Sequence, residues 1–418
     1  MTGVRQGSGL LALAGIALAF ALGGTAQAAK PGQLDRSFGH DGTATTEFKG
    51  GLDANAVAID SHGRIVVAGI ICTGSSDCSI GVARFKPNGT LDPSFGGFGE
   101  VVTHFDDGLD QVKAMAVDAQ DRIVVAGRTC SGELLTTCSF ALARYKPDGS
   151  LDASFDGDGK LRTKLGGGAT AVAIDSQNRI VAAGWGSDLA TYQGHFALAR
   201  YQSNGKLDLS FGIGGKATTA FGPTGHLWVY NAWAYSMGID SQGRIVIGGF
   251  RVYADEEKYS AALARSTPGG DPDVSFSGDG KLARNGGVCC QVVIDAHDRI
   301  VVGGAGLARY NTDGTLDHSF GGDGKVKNVE VRKLAIDSEG RIVAVSDHHL
   351  ARRKPNGQRD RSFGGDGEVA VRFHRKPRSQ DFATSEAIDA QDRIVVAGVS
   401  RKCAPSCADA LGLARYIG

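Results

Sequence analysis

The chain has 418 residues, with 45 basic and 45 acidic side chains, a formal net charge of zero and 62 glycines. That balance excludes the strong basic excess by which a nucleic-acid-binding domain is recognised. The length exceeds what one ordinary core holds but suits a closed repeat architecture, and glycines that recur at fixed positions mark turns rather than disorder.

Residues 1–28 read as a signal peptide: Arg5 supplies the positive start, Leu10 to Leu22 an almost unbroken apolar run, and Ala26-Gln27-Ala28 the small-x-small cleavage pattern. Loss of Arg5, the single charge in that segment, takes the formal charge from 0 to −1. The run is short for a membrane span, and no later stretch reaches the 18 or so apolar residues that one needs. The expectation is an exported protein, periplasmic or extracellular, with no membrane insertion after cleavage and a mature chain of 29–418.

Three landmarks then recur seven times in a constant order. Leu-Asp-x-Ser-Phe or a near variant has its Asp at 35, 92, 152, 208, 273, 317 and 360. Asp-x-x-x-Arg-Ile has its Asp at 60, 118, 175, 240, 295, 337 and 389, and Ala-Arg its Arg at 84, 144, 200, 265, 309, 352 and 415. The spacing of 43 to 65 residues lies in the range of propeller blades and solenoid units.

Within the first copy, Ala56-Val57-Ala58-Ile59 alternates as a strand and Asp60-Ser61-His62-Gly63 turns. Arg64 to Gly69 returns as a second strand, Ile80 to Phe85 makes a third, and Lys86-Pro87-Asn88-Gly89 is a strong turn. A fourth strand is predicted near Gly99 to Phe105. Four antiparallel strands per copy and no helix-period segment predict an all-β, single seven-bladed β-propeller. The last copy stops after its third strand, and the missing piece stands at the N-terminus as Pro31 to Gly39. The N-terminal strand is therefore expected to complete the last blade and close the ring, which removes an open edge. The units run near 50–106, 107–166, 167–222, 223–285, 286–330, 331–374, and 375–418 plus 30–49.

Cys72 and Cys78, Cys130 and Cys138, and Cys403 and Cys407 are close pairs at equivalent points of units one, two and seven. In an oxidising compartment they read as Cys72–Cys78, Cys130–Cys138 and Cys403–Cys407 disulfides across hairpin loops. Zinc is disfavoured because these loops bring no His at ligand spacing. Adjacent Cys289 and Cys290 fit either a vicinal disulfide or buried thiols.

The block Lys-Pro-Asp-Gly-Ser-Leu-Asp-Ala-Ser-Phe-Asp-Gly-Asp-Gly-Lys (146–160), with Ala-Ile-Asp-Ser-Gln-Asn-Arg-Ile-Val (173–181), resembles the delta-60 repeat family of bacterial, mostly exported sequences. That resemblance covers essentially the whole mature chain and implies β-propeller repeats; it carries no catalytic residues. Unit four departs at Gly269-Gly270-Asp271-Pro272-Asp273-Val274, and Arg359 replaces the usual Leu in unit six. The strand order also resembles NHL-type propellers, which implies that the strand before the Asp turn lines a central channel.

Seven copies of one Asp and one Arg imply scaffolding, and the Ala-Arg guanidinium is expected to pair with the Asp of Leu-Asp-x-Ser-Phe. Loops such as Gly157-Asp158-Gly159 lack the bidentate closing Glu of a calcium loop, so no metal is assigned. No HExxH, nucleophile elbow or quinone-cofactor pattern is present, and no cofactor is assigned.

Variation is confined to the loops on one face, and units three and four depart most. They hold Trp185, Asp188, Tyr192 and His195, then Trp228, Tyr230, Trp233 and Tyr235, then Tyr253, Asp255, Glu256, Glu257 and Tyr259. All three Trp and five of the nine Tyr lie in these stretches, which suits either stacking on a ligand or self-packing of long loops. The expected role is an exported, non-catalytic binding or interaction propeller, monomeric, for a small molecule, glycan or protein, centred on these thirteen residues. A stacked ligand would be neutral or cationic, with Asp255, Glu256 and Glu257 beside it. One alternative is a polysaccharide-directed lyase or hydrolase at the channel mouth, with His195 and Asp188 as its acid/base pair. Another is a structural cell-envelope protein.

Overall fold

The computed structural model describes residues 29–418 except 48–50, 73–77, 106–108, 132–136, 188–193, 222–228, 254–258, 286–288, 375–378 and 404–406. The expected signal peptide, 1–28, lies outside the described residues. Among the described residues every regular element is a strand, and no helix is long and apolar enough to cross a membrane.

The N-terminal strand β1 (Thr43–Thr46) belongs to the last sheet and is taken up there. Next come β2 (Asp53–Ile59), β3 (Ile65–Cys72), β4 (Cys78–Phe85) and β5 (Glu100–Thr103), paired antiparallel in that order. The same meander follows in β6 (Leu109–Val117), β7 (Ile123–Ser131), β8 (Thr137–Tyr145) and β9 (Lys160–Thr163). One parallel bridge, Cys78 to Leu109, joins these two sets into an eight-stranded sheet. Four-stranded sheets then form from β10 (Gly168–Ile174), β11 (Ile180–Ser187), β12 (Gly194–Tyr201) and β13 (Lys216–Thr219), and from β14 (Val229–Ile239), β15 (Ile245–Tyr253), β16 (Tyr259–Ser266) and β17 (Lys281–Asn285). Shorter ones follow in β18 (Cys289–Ile294), β19 (Ile300–Gly304), β20 (Gly306–Tyr310) and β21 (Lys325–Lys327), and in β22 (Lys333–Ile336), β23 (Ile342–Val345), β24 (His349–Arg353) and β25 (Glu368–Ala370). The last sheet runs β26 (Ser379–Ile388), β27 (Ile394–Cys403), β28 (Cys407–Tyr416) and then β1, with Thr43 opposite Ala414.

Each turn between first and second strands needs a left-handed residue, and there the chain puts Gly63, Asp121, Asn178, Gly243, Asp298, Gly340 or Asp392, all at φ between 57° and 76°. Apolar clusters fill the spaces between successive sheets; Val66, Ile80 and Phe95 of one meet Val112, Ile123 and Tyr145 of the next.

The expected scaffold pairs are present in all seven repeats. Arg84 Nε donates to Asp92 at 2.9 Å, Arg144 to Asp152 at 2.8 Å and Arg415 to Asp35 at 2.8 Å, and Arg200, Arg265, Arg309 and Arg352 do the same. These guanidiniums are buried, not merely half-buried. Nη2 donates to the motif Ser, as Arg84 does to Ser94, and the motif Phe lies under the guanidinium, Phe155 at 4.7 Å from Arg144. Burial pushes the Asp152 carboxyl up, but hydrogen bonds from Ser154 and the Arg144 charge outweigh it and hold it below the usual carboxylate range. The two sequence departures keep this geometry: Pro272 bridges Ser266 and Arg359 bridges Arg353 where Leu91 bridges Phe85.

The Cys72–Cys78 and Cys130–Cys138 disulfides are formed. Cys403 lies opposite Cys407 in the β27–β28 pair, but the side chains of both, and those of Cys289 and Cys290, lie outside the described residues.

Asp152→Ala strands the buried Arg144 cation and should cost about 3–5 kcal/mol, read as a lower urea midpoint. The double variant Arg144→Met, Asp152→Leu should recover most of that loss, because it removes the charge together with its partner.

Candidate functional site

Six first strands carry the same irregularity. The register shifts at Asn55, Lys113, Thr170, Tyr235, Cys290 and Thr384, each five residues before its turn Asp. A bulge re-aims the extra side chain. The Gly of the second strand makes room for it: a Cβ on Gly69, Gly127, Gly184, Gly249 or Gly398 would collide with the carbonyl of Asp53, Gln111, Gly168, Trp233 or Phe382. The Gly at this point of the second strand, replaced by Ser346 in unit six, whose first strand has no bulge, is thus the counterpart of the bulge.

Five of the bulged side chains, Asn55, Lys113, Thr170, Tyr235 and Thr384, line one cavity of about 510 Å³ together with Gln291 and Lys333. The first strand of every sheet therefore contributes to it, as the NHL-like strand order implied. Arg128, Trp185 and Phe250, each following the Gly of a second strand, add to the wall, as do Gln111, Trp233 and Arg332. These are the positions at which otherwise uniform repeats diverge.

Two of the expected tryptophans and one tyrosine meet there: Trp185, Trp233 and Tyr235 all line the cavity. Phe250, absent from the expected set, is their hub. Trp233 lies edge-on to it at 5.0 Å, Tyr235 stacks at 5.3 Å, and Tyr259 packs edge-on at 5.3 Å. Tyr235 and Tyr259 remain exposed.

Correction is needed on where these residues sit. Trp185 is on β11, His195 on β12, Tyr230, Trp233 and Tyr235 on β14, Tyr253 on β15 and Tyr259 on β16, so all are strand residues rather than loop residues. Unit four lengthens its first strand past the shared core, β14 having 11 residues where β2 has 7, whereas the strands of unit three match those of unit one in length. His195 is opposite Gly186 and does not line the cavity. Asp188, Tyr192, Trp228, Asp255, Glu256 and Glu257 lie outside the described residues, as do the side chains of Tyr230 and Tyr253.

The Gly166-Gly167-Gly168 run also gains a purpose. A Cβ on Gly168 would fall 2.7 Å from Arg128 Cβ, and one on Gly167 would fall 2.7 Å from the Trp185 ring. Arg128 Nε donates to Gln111 Oε1 at 2.9 Å, and Arg332 pairs with Asp347. Burial lowers the Lys113 pKa, helped by the Arg128 and Lys333 charges and opposed by Asp53. Burial likewise lowers that of Arg128.

A second group escaped sequence reasoning. Three residues before the turn Asp, the other repeats carry Val57, Met115, Val172, Met237, Val292 and Leu334, whereas unit seven carries Glu386. The contact made there is visible elsewhere: Val292 N donates to its neighbour's Ser236 Oγ at 3.0 Å, and Val57 N donates to Ser385 Oγ at 3.2 Å. Lys333 holds the Ser236 position in unit six, so it faces Glu386. Burial raises the Glu386 carboxyl to about 8 despite the Lys333 charge, and Glu386 Oε2 has no hydrogen-bond partner. Burial lowers Lys333 against the opposing pull of Glu386. Aligning the repeats with one another would have exposed this pair.

Among the described residues one His–carboxylate group has ligand-like spacing, Asp60, His62 and Asp121. Its carboxylates are already engaged, Asp60 by Arg64 and Asp121 by Ser61 and His62. The Asp158 loop is likewise a turn, its carboxylate accepting from Lys160 N at 2.8 Å.

Segments 62–95, 121–155, 176–211 and 298–320 match a family model described as a beta-propeller domain of unknown function (DUF5122). No curated protein matches the chain in sequence. Among solved structures it is similar to virginiamycin B lyase from Staphylococcus aureus, at 8% identity over 89% of this chain and 98% of that one, with a TM-score of 0.48. It is also similar to an α-L-arabinanase of Penicillium chrysogenum (11% identity, 77% and 92% covered, TM-score 0.46). The WD40 domain of Neurospora crassa Pan2 is similar at 8% identity, with 93% and 98% covered and a TM-score of 0.45. The repeated four-stranded meanders and the matched repeat model make this a β-propeller repeat protein.

A carboxyl whose folded pKa is raised favours folding below its unfolded value of 4.5 and loses that advantage as pH rises towards about 8. Glu386→Gln should therefore gain melting temperature relative to the parent as pH climbs through that window, with the difference levelling off above it. Melting curves collected across the window test this, and a constant difference would contradict it.

Proposed function

We propose that the chain is a non-catalytic binding propeller of seven blades, its ring closed by the N-terminal strand, whose ligand enters the channel mouth over units three and four. Support for closure comes from the last sheet. Its outer strand is β1, Leu34 bridges Tyr416, and Arg415 takes Asp35 as its partner. The contact between Ser385 and Val57 also repeats, between units seven and one, the one made by Ser236 and Val292 between units four and five. Strand β2 lies against β26 on one side and β6 on the other. Export and kinship with the delta-60 repeats belong to the same reading, and the two disulfides are compatible with an oxidising compartment.

One observation carries the binding role: Trp185, Trp233, Tyr235 and Phe250 converge on a single cavity at positions where the scaffold does not need them. Its volume, about 510 Å³, lies within the roughly 300–1,000 Å³ typical of small-molecule sites. Flat aromatic walls suit a sugar or other ring compound.

A panel of soluble glycans and metabolites should produce a saturable change in tryptophan fluorescence, with the ligand recovered chemically unchanged. Trp233→Ala should weaken that binding about tenfold, the worth of one lost stacking contact. Conversion of the bound ligand would instead favour the lyase or hydrolase alternative.

Deleting residues 30–48 should lower the melting temperature well beyond ordinary terminal trimming, because it strips β28 of its partner and Arg415 of its counter-ion. An unchanged melt would refute closure by the N-terminal strand.

A further inference from the structure

The cavity has two chemically different walls. Units three and four supply the aromatic wall of Trp185, Trp233, Tyr235 and Phe250. Units two and six supply Lys113, Arg128, Arg332 and Lys333, and among the described lining residues no carboxylate appears. Two of the cations have counter-charges set back from the cavity: Arg332 pairs with Asp347, and Lys333 lies beside Glu386, whose carboxyl burial drives towards the neutral form. Of the other two, Lys113 feels the Asp53 charge without pairing with it. Arg128 is held by the neutral amide of Gln111, and neither Lys113 nor Arg128 makes an ion pair among the described residues.

This gathering is built into the fold. Lys113 occupies a bulge, where Asn55, Thr170, Tyr235 and Thr384 stand in other repeats. Arg128 occupies the position filled by Ile70 or Val399 elsewhere, and Gly168 clears the space beside it. Lys113 and Lys333 come from opposite sides of unit one and feel each other's charge. Like charges drawn into one low-dielectric concavity repel unless an anion lies between them.

We propose that the channel mouth takes a ring compound bearing an oxyanion, the oxyanion held by Lys113, Arg128 and Lys333 and the ring laid against Trp185, Trp233 and Tyr235. This deepens the binding role proposed above and rests on it. It replaces the neutral or cationic ligand expected from sequence, whose acidic residues Asp255, Glu256 and Glu257 lie outside the described residues. Amides at Asn55, Gln111 and Gln291 and hydroxyls at Thr170 and Thr384 would meet the polar edge of such a ring. Sugar acids, sugar phosphates and sugar sulfates share this chemistry.

The test compares four ligands on one ring: glucose, glucosamine, glucuronate and glucose 6-phosphate, each titrated at millimolar concentration against tryptophan fluorescence. Glucuronate or glucose 6-phosphate should bind about tenfold or more tightly than glucose, with glucosamine weakest, since a charge-assisted hydrogen bond is worth at least that factor. The better of the two identifies carboxylate or phosphate as the preferred oxyanion. The advantage should shrink as salt is added. Lys113→Gln should abolish the preference, weakening the anionic ligands at least tenfold more than glucose; Arg128→Gln, at an independent position, should reduce it in the same way. Trp233→Ala should weaken all four ligands by a similar factor. Equal binding of all four would overturn the anion preference and leave the binding role standing. Binding of none of the four would overturn both.

Discussion

A buried guanidinium has five N–H donors to place, and each repeat of this protein solves that problem in the same way. Nε goes to the motif Asp, Nη2 to the motif Ser, and the motif Phe covers the face. The remaining group, Nη1, crosses to the next unit: Arg84 donates to the Pro147 carbonyl, Arg144 to Ser203, and Arg415 to Pro87 at 2.6 Å. One side chain therefore fastens its own sheet and the neighbouring one. The joint formed with the N-terminal segment differs. Gly364 N reaches Pro31 O as Gly321 N reaches Asn356 O, yet Arg352 Nη1 is buried without a partner. That joint is the one with an unmet donor.

The clamp lies on the third strand and the turn after it, away from the bulges of the first strands. Their bulged positions can then carry Asn, Lys, Thr or Tyr without disturbing the core, since the Gly opposite absorbs the irregularity. Rigid scaffold and variable site are thereby assigned to different residues of one short motif. The cavity gains its aromatic wall by residue changes in units three and four and its cationic wall by changes in units two and six.

Lys333 and Glu386 mark where this freedom reaches inward. They replace Ser236-type and Val292-type residues at a contact between units, and they bring an opposite-charge pair to the edge of the cavity. Burial raises the Glu386 carboxyl, and the Lys333 charge opposes that shift.

Chain order alone determined the all-β class, the four-strand meander, the N-terminal strand beside β28, and the Arg–Asp clamp with its two described disulfides. Each depends on a motif repeated seven times, and repetition turns a weak local signal into a strong one. The aromatic concentration of units three and four was legible too, but its placement on strands was not, because strand length beyond the shared core depends on pairing with β15 and β16. Only the tertiary structure decided which residues share a cavity. Lys113 and Lys333 lie far apart in the chain and have no periodic relation to Trp185; a bulge brings Lys113 to the cavity, whereas Lys333 reaches it from a first strand without one. A periodic pattern specifies each strand's faces, whereas convergence across a channel is a property of how the sheets are arranged around it.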